Sequence, residues 1–144
     1  MRGYMNHHLV ILKKPYLDLI LDGRKTVEVR LTKIRCAPFS RIFAGDKLFF
    51  KISSGAVCGI GKVRKIKELS GLTKAKVEKL KSKYNHLICG DDEYWREKKN
   101  CGFGVLVWLE SVKATEPVQI DKKDWRAWVV LKKNASYGLL KKGK

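Results

Sequence analysis

The stretch Gly23–Arg30, Gly-Arg-Lys-Thr-Val-Glu-Val-Arg, carries several ionisable side chains across the junction of a predicted helix and a predicted strand. Gly23 can take the positive φ that often follows a helix end. Glu28 and Arg30 project from the same face of the strand, roughly 6.5–7 Å apart along it, and Lys25 lies at the turn before them. Such a cluster can bind a polar or anionic ligand or carry out proton chemistry on one. The alternative is a surface ion pair worth about 0–1 kcal/mol.

The residues around this stretch predict a strand, a helix and a second strand. Residues 7–12 form an apolar run of strand length, and Pro15 fits the first turn of a helix because its missing N–H needs no partner there. Leu17, Ile20 and Leu21 follow with helical spacing and give that helix one apolar face. After the glycine turn, apolar and polar residues alternate, which predicts a half-buried strand.

The rest of the chain continues as strands and short helices. A chain of 144 residues and 16.5 kDa has the size of one domain and can bury an ordinary core. Further strands are predicted at 47–52, 56–69, 102–112 and 128–131, and helices at 74–84 and 91–99. Gly59 and Gly61, inside one of these strands, predict a bulge or the close approach of another group. We expect a flexible N-terminus at 1–6, a domain at 7–131 and a basic C-terminal tail at 132–144.

The charge of the chain indicates a polyanionic partner. There are 32 Lys and Arg residues against 14 Asp and Glu, a net charge of +18. Nucleic acid is the leading candidate for that partner. A membrane surface is a weaker one because no long basic amphipathic helix with aromatic residues stands out. The lysine-rich segment 74–83 could follow phosphates or could simply form a solvated helix face, and the charge as a whole could serve solubility alone.

The cysteines do not indicate a metal site. Cys36, Cys58, Cys89 and Cys101 lack the paired spacing of zinc ligands, so we expect reduced thiols, no metal and no cofactor. No apolar run approaches the roughly 20 residues that span a bilayer, and the first residues lack signal-peptide character. We therefore expect a cytoplasmic protein that does not enter membranes.

The stretch at Gly23–Arg30 resembles the G-x-K-x-x-E-x-R signature of ASCH domains, a family named after the homology region of the activating signal cointegrator. The strand, proline and helix of residues 8–22 resemble the usual opening of such a domain, and the order of elements stays compatible to about residue 131. The resemblance implies an α+β fold, a PUA-like, mixed and mostly antiparallel β-barrel with two or three short helices.

The resemblance also implies a function. In that family the signature lines a cleft expected to accept RNA or a modified nucleoside, so we expect a monomer that binds RNA or a modified nucleotide. Lys25 and Arg30 would contact phosphate or polar base edges, and Glu28 would accept from a base amine or ribose or orient the two cations. The predicted ligand-binding residues are Lys14, Tyr16, Gly23, Lys25, Glu28, Arg30, Lys51 and Trp95.

Aromatic residues could supply stacking surfaces for bases. The candidates are Tyr16, Trp95, Trp108 and Trp128, of which Trp95 is favoured because Arg96 lies beside it on a short helix. Each of them could instead pack in the core or at the rim of the barrel.

Two other functions stay open. Some small ASCH proteins are amidohydrolases that remove the acetyl group from N4-acetylcytidine, and others are ribonucleases; for either reaction Lys25 and Glu28 would be the catalytic residues. The amidohydrolases have a threonine at the position of Glu28 and use a glutamate from a later helical region, for which Glu93 and Glu97 are candidates. This departure favours binding over hydrolysis. A protein-interaction module with incidental charge is the third possibility.

Overall fold

The computed structural model describes residues 5–122 and 124–140 of the chain. The predicted flexible start at 1–6 and basic tail at 132–144 fall partly outside these residues. Within the described part of the tail, apolar side chains at 137, 139 and 140 pack against the outer face of the sheet, on a cluster that contains Leu9 and Phe49.

Six strands and three helices make up the described residues. In chain order they are β1 (His7–Leu12), α1 (Lys14–Leu21), β2 (Val27–Thr32), β3 (Lys47–Ile52), β4 (Val57–Leu69), α2 (Lys74–Ile88), α3 (Asp92–Lys98), β5 (Phe103–Val118) and β6 (Trp128–Leu131). The predicted α+β class is confirmed, and the two or three helices that were expected are three. Thr73 caps α2 by accepting a hydrogen bond from the backbone N–H of Lys76.

Two elements run further than the sequence pattern indicates. α2 continues four residues past its predicted end because Ile88, 1% exposed, packs into the core, and Cys89 then ends the helix in the left-handed conformation. β5 continues to Val118 because its polar second half pairs with the first half of β4, where Val57 lies opposite Val118. Tertiary pairing therefore sets both boundaries.

The strands form one mixed sheet in the order β2-β5-β4-β3-β1-β6, and the sheet curls into a half-barrel. β1 and β3 pair in parallel, and the other neighbours pair antiparallel. The curl brings the two edge strands, β2 and β6, towards each other. The predicted site residues of β2, Glu28 and Arg30, therefore lie at the opening of the half-barrel.

Both a bulge and the close approach of other groups, the two alternatives predicted for Gly59 and Gly61, are found in β4. The register with the neighbouring strands shifts beside Gly59 and Gly61. A Cβ atom at Gly59 would lie 3.0 Å from the side chain of Leu21 on α1, and one at Gly61 would lie 3.1 Å from the ring of Phe50. The glycines let the helix and a core ring approach the sheet closely.

Candidate functional site

A cleft of about 290 Å³ opens beside β2, between the start of α1 and the helix α3. Three side chains of the predicted cluster form its floor: Lys25, Glu28 and Arg30. The walls come from the end of β1, the start of α1, the end of α2, the segment before α3, α3 itself and the residue before β6. They include Ile11, Lys13, Tyr16, Ile88, Gly90, Asp91, Glu93, Tyr94, Glu97, Lys98 and Ala127.

Lys25 is held by the turn that ends α1 and is almost completely buried. The backbone N–H of Lys25 donates to the carbonyl of Leu19, and Gly23 takes a φ of 87° in this turn. The Lys25 ammonium donates to the carbonyl oxygens of Ile88, at 2.6 Å, and Val27, at 3.1 Å. Ile88 is the last residue of α2, so the ammonium satisfies a helix-terminal carbonyl where a cation is favoured.

The third acceptor of Lys25 is the carboxylate of Glu28, whose Oε1 lies 3.1 Å from Nζ. An ammonium has three hydrogens, and each therefore has an acceptor inside the protein. The Nζ atom also lies 5.4 Å from the centre of the Tyr16 ring. These contacts fix Lys25 in place and leave it without a hydrogen to donate to a phosphate, which was one of its predicted roles.

Glu28 accepts from two cations while its own exposed fraction is only 5%. Its Oε2 lies 2.8 Å from Nε and 2.7 Å from Nη2 of Arg30, opposite the contact with Lys25. Burial alone would raise the pKa of Glu28, but Lys25 and Arg30 together outweigh burial and hold that pKa below its ordinary value. Glu28 is therefore ionised at neutral pH, and about one lone pair of the carboxylate is still available.

Arg30 joins the two sides of the half-barrel. From the edge strand β2 its Nη2 donates to the carbonyl of Ile11 at 2.9 Å, and its Nη1 donates to the carbonyl of Ala127 at 3.1 Å. Its Cζ lies 5.2 Å from the centre of the Trp128 ring. The guanidinium thus bridges β2 to β1 and to the segment before β6, and it too is largely satisfied by the protein.

Two tyrosines line the cleft above this floor. The rings of Tyr16 and Tyr94 lie 6.4 Å apart between centres, in an edge-to-face arrangement. The Tyr16 hydroxyl accepts from the backbone N–H of Asp91, and burial raises the pKa of both phenols. Both rings are therefore neutral, fixed surfaces beside the buried carboxylate.

The cleft is electrically balanced, in contrast to the chain. Four basic and four acidic side chains line it: Lys13, Lys25, Arg30 and Lys98, against Glu28, Asp91, Glu93 and Glu97. The whole protein carries +18. The excess positive charge of the protein therefore lies outside the cleft.

The other predicted ligand-binding residues lie outside this cleft. Lys14 pairs with Asp18 on the exposed side of α1, where the two side chains are 2.8 Å apart. Lys51 donates to the backbone of its neighbour on β3. Gly23 shapes the turn without lining the cleft, and Trp95 is buried, where it donates from Nε1 to the side chain of Asn85. Of the predicted set, Tyr16, Lys25, Glu28 and Arg30 come together.

Several residues that line the cleft were not among the ligand contacts predicted from the sequence. Tyr94 lines the cleft while Trp95 packs inward, since neighbouring helical residues point about 100° apart. Glu93 and Glu97, four residues apart on α3, line the same wall. The sequence indicated these two glutamates only as candidates for hydrolysis. Lys13 and Ala127 have no sequence signal because only the curl of the sheet brings them here.

The structure offers no ready site for a metal. Among residues 5–122 and 124–140, no group of three His, Cys, Asp or Glu side chains is arranged to hold an ion. All four cysteines lie in this part of the chain as free thiols, and Cys101 is buried. No helix of the described residues has the length and apolar character needed to cross a membrane.

Solved structures with this fold are found at low sequence identity. The crystal structure of ASCH from Zymomonas mobilis is similar with a TM-score of 0.70 and 16% identity, over 90% of each chain. A variant of that protein gives a TM-score of 0.68 at 16% identity, again over 90% of each chain. The N-terminal domain of Staphylothermus marinus McrB gives 0.50 at 14% identity, over 81% of this chain and 78% of that one. These likenesses concern the fold.

The comparison with curated proteins found no match. The model of the ASCH domain family, by contrast, matches residues 10–132, which run from inside β1 to the residue after β6. The match takes in the buried Lys25–Glu28–Arg30 cluster and every wall of the cleft. The chain therefore belongs to the ASCH domain family.

Proposed function

We propose that this ASCH domain binds single-stranded RNA and takes one unstacked nucleobase into the cleft. The observation that carries the proposal is the state of Glu28: a buried, ionised carboxylate, held by Lys25 and Arg30, that lines the cleft with capacity for a further donor. An exocyclic base amine is such a donor, and acidic side chains accept from the amine of cytosine in nucleic-acid recognition.

The size and walls of the cleft support a single base as the ligand. A volume of about 290 Å³ lies at the small end of the roughly 300–1,000 Å³ usual for small-molecule sites. Tyr16 and Tyr94 offer aromatic surfaces, and stacking on such rings is worth about 1–3 kcal/mol per base. Sequence-specific RNA recognition commonly uses splayed-out bases of single strands in this way.

The phosphates of the strand would bind elsewhere. A second groove of about 180 Å³ lies between the end of β4 and the helix α2. Its lining combines four lysines with apolar and aromatic residues and no acid: Lys67, Lys76, Lys79, Lys83, Leu69, Leu72, Leu80 and Tyr84. Because its lysines can contact phosphates, this basic groove favours an RNA strand over a free nucleoside as the ligand.

The decisive experiment compares the wild type with Glu28→Gln for binding to a mixed-sequence single-stranded RNA 10-mer and to the four nucleosides. The amide of Gln presents a donor where Glu28 accepts, so we expect the variant to lose tenfold or more in affinity for the RNA. Asp22→Asn removes the carboxylate of the exposed pair with Arg24 and is the matched control. Equal affinity of the folded wild type and Glu28→Gln would refute the cleft as the base site.

Hydrolysis of a modified nucleoside is the second candidate, and the positions of Glu93 and Glu97 favour it. Both carboxylates line the cleft, and neither makes an ion pair or hydrogen bond within the described residues. One of them could take a proton from water as that water adds to the acetyl carbonyl of N4-acetylcytidine. The C–N bond would then break as the same carboxyl group gives that proton to the leaving nitrogen, which yields cytidine with its neutral exocyclic amine and acetic acid, which ionises to acetate.

In this reaction the roles of the floor residues differ from those predicted. Lys25 already donates to three acceptors, and the lowered pKa of Glu28 makes its carboxylate a weak base. Mass spectrometry of N4-acetylcytidine incubated with the wild type, Glu93→Gln and Glu97→Gln tests the reaction. Loss of acetyl that one of these variants abolishes would establish the enzyme, and intact substrate in all three samples would exclude this reaction.

A further inference from the structure

Trp125 is almost wholly exposed, at 98%, whereas the other three tryptophans are at most 8% exposed. A tryptophan side chain can bury on the order of 150–250 Å² when it packs. The whole ring lies in water, so a ligand that covers it would gain the hydrophobic free energy that folding does not use. It lies in the segment between β5 and β6, directly before the part of the chain that reaches the cleft.

Asp124, the neighbour of Trp125, contacts three other residues through its carboxylate. The Asp124 carboxylate lies 2.9 Å from the ammonium of Lys122 and 2.7 Å from the guanidinium of Arg126. It also accepts from the backbone N–H of Arg126 and from the hydroxyl of Tyr137. Hydrogen bonds from Arg126 and Lys122 hold the pKa of Asp124 well below its ordinary value. Ion pairs and hydrogen bonds of Asp124 thus hold the residue that follows the indole, Arg126.

The same segment is joined to the floor of the cleft. The carbonyl of Ala127, two residues after Trp125, accepts from Nη1 of Arg30 and from the backbone N–H of Ile11, each at 3.1 Å. Ala127 itself lines the cleft. Two residues of chain span at most about 7 Å, so the Cα of Trp125 lies within that distance of a residue of the cleft wall.

We propose that Trp125 is a stacking residue for a second base of the RNA strand, next to the base bound in the cleft. This inference rests on the proposed function, because the cleft defines which neighbouring base Trp125 would meet. An indole face stacks on any base, and the +18 charge of the protein favours a strand of nucleic acid over a neutral surface. Trp125 thereby extends the site from one nucleotide to at least two.

The exposure of Trp125 provides a direct spectroscopic test. The other tryptophans are buried, so Trp125 should dominate the acrylamide-quenchable emission of the protein. Addition of a mixed-sequence single-stranded RNA 10-mer should quench that emission and protect it from acrylamide. Trp125→Phe, which keeps a ring for stacking, should lose the signal and retain most of the affinity.

The affinity of Trp125→Ala for the same RNA should fall by roughly five- to 150-fold, the effect of removing one base stack. Phe43→Ala, which removes another exposed ring, is the matched control and should bind as the wild type does. Unchanged affinity of Trp125→Ala would overturn the proposal. So would an emission that responds to phosphatidylserine vesicles and not to RNA, which would make Trp125 a membrane contact.

The two proposals fail separately. Weakened binding in Trp125→Ala together with normal binding in Glu28→Gln would retain the stacking role and remove the base from the cleft. Normal binding by Trp125→Ala together with weakened binding by Glu28→Gln would retain the cleft as the base site and refute the stacking role of Trp125. No binding of the RNA by the wild type would overturn both.

Discussion

The indole N–H of Trp128 donates a 2.9 Å hydrogen bond to Nδ1 of His8, a histidine with no exposed surface. Because an indole nitrogen is only a donor, Nδ1 must accept, and the ring proton lies on Nε2. Nε2 then donates to the buried carboxylate of Asp46 at 2.9 Å. Since the Trp128 ring also stacks on Arg30, the neutral histidine supports the closure of the half-barrel beside the cleft.

This arrangement predicts that the protein loses stability in mild acid. Burial lowers the pKa of His8 below its ordinary value of 6.5, although the bond to Asp46 opposes the shift; His7 and Arg41 disfavour the charged ring further. As the pH falls through 6.5, the unfolded chain takes up a proton that folded His8 does not. We expect the free energy of unfolding, measured with urea, to decrease from pH 7.5 to 5.5.

Two variants identify the histidine responsible. His8→Gln does not titrate, so it should remove most of the pH dependence even if it lowers stability at both pH values. The pKa of His7 is also lowered, by burial and by Lys47, but that ring is only partly buried. His7→Gln should therefore remove the smaller share. An undiminished pH dependence in His8→Gln would contradict this assignment.

Replacement of Lys25 should test the buried ion cluster. Lys25→Met keeps the apolar stem but leaves Glu28 with one cation and the end of α2 without its donor. Breaking a buried pair by removing one partner typically costs about 3–5 kcal/mol. Lys14→Met breaks an exposed pair with Asp18 and should cost about 0–1 kcal/mol. If urea titrations gave similar losses of unfolding free energy for the two variants, the cluster would have no special role in stability.

Local signals were sufficient to predict the strands and helices because local and tertiary structure agree, whereas the arrangement of the strands was implied by the resemblance to ASCH domains. Pro15 starts a helix, Gly23 ends its turn with positive φ, and the alternating residues after it form β2 as expected. Only the ends of α2 and β5 differ from their predicted positions by more than one residue, because packing and strand pairing extend them. These forces act between segments far apart in the chain and leave no local pattern.

The site was predictable only in part, because some of its contacts join residues close in sequence and others join distant segments. Lys25, Glu28 and Arg30 are close in sequence, so their spacing alone places them together. Their acceptors are partly backbone carbonyls, at Ile88 and Ala127 among others, and these have no sequence signal. The alternation in β2 predicted a polar face but carried no signal for the burial of Glu28 on that face, where it is only 5% exposed.

The turn before α3 gives a third prediction, on packing at the cleft wall. A Cβ atom at Gly90 would lie 2.7 Å from Nε1 of Trp95, which donates to Asn85 and so joins α3 to α2. Gly90→Ala should therefore displace Trp95 and lower stability by about 1–3 kcal/mol. Gly102→Ala, where nothing lies within 4 Å, should change stability by no more than about 0.5 kcal/mol. Thermal unfolding of the two variants makes the comparison, and equal melting temperatures would contradict it.

The basic groove on α2 predicts how RNA binding depends on salt. Each phosphate contact to a single strand contributes about 0.7 to the slope of log affinity against log salt concentration. If Lys79 and Lys83 each contact one phosphate, the double variant to alanine should lower that slope by about 1.4. Lys62 and Lys113 are equally exposed but lie outside the groove, so the same double replacement there changes the net charge identically. A smaller change in slope for the Lys62 and Lys113 variant would locate the backbone in the groove. Equal changes would show that the +18 charge attracts RNA diffusely, with no defined path for the strand.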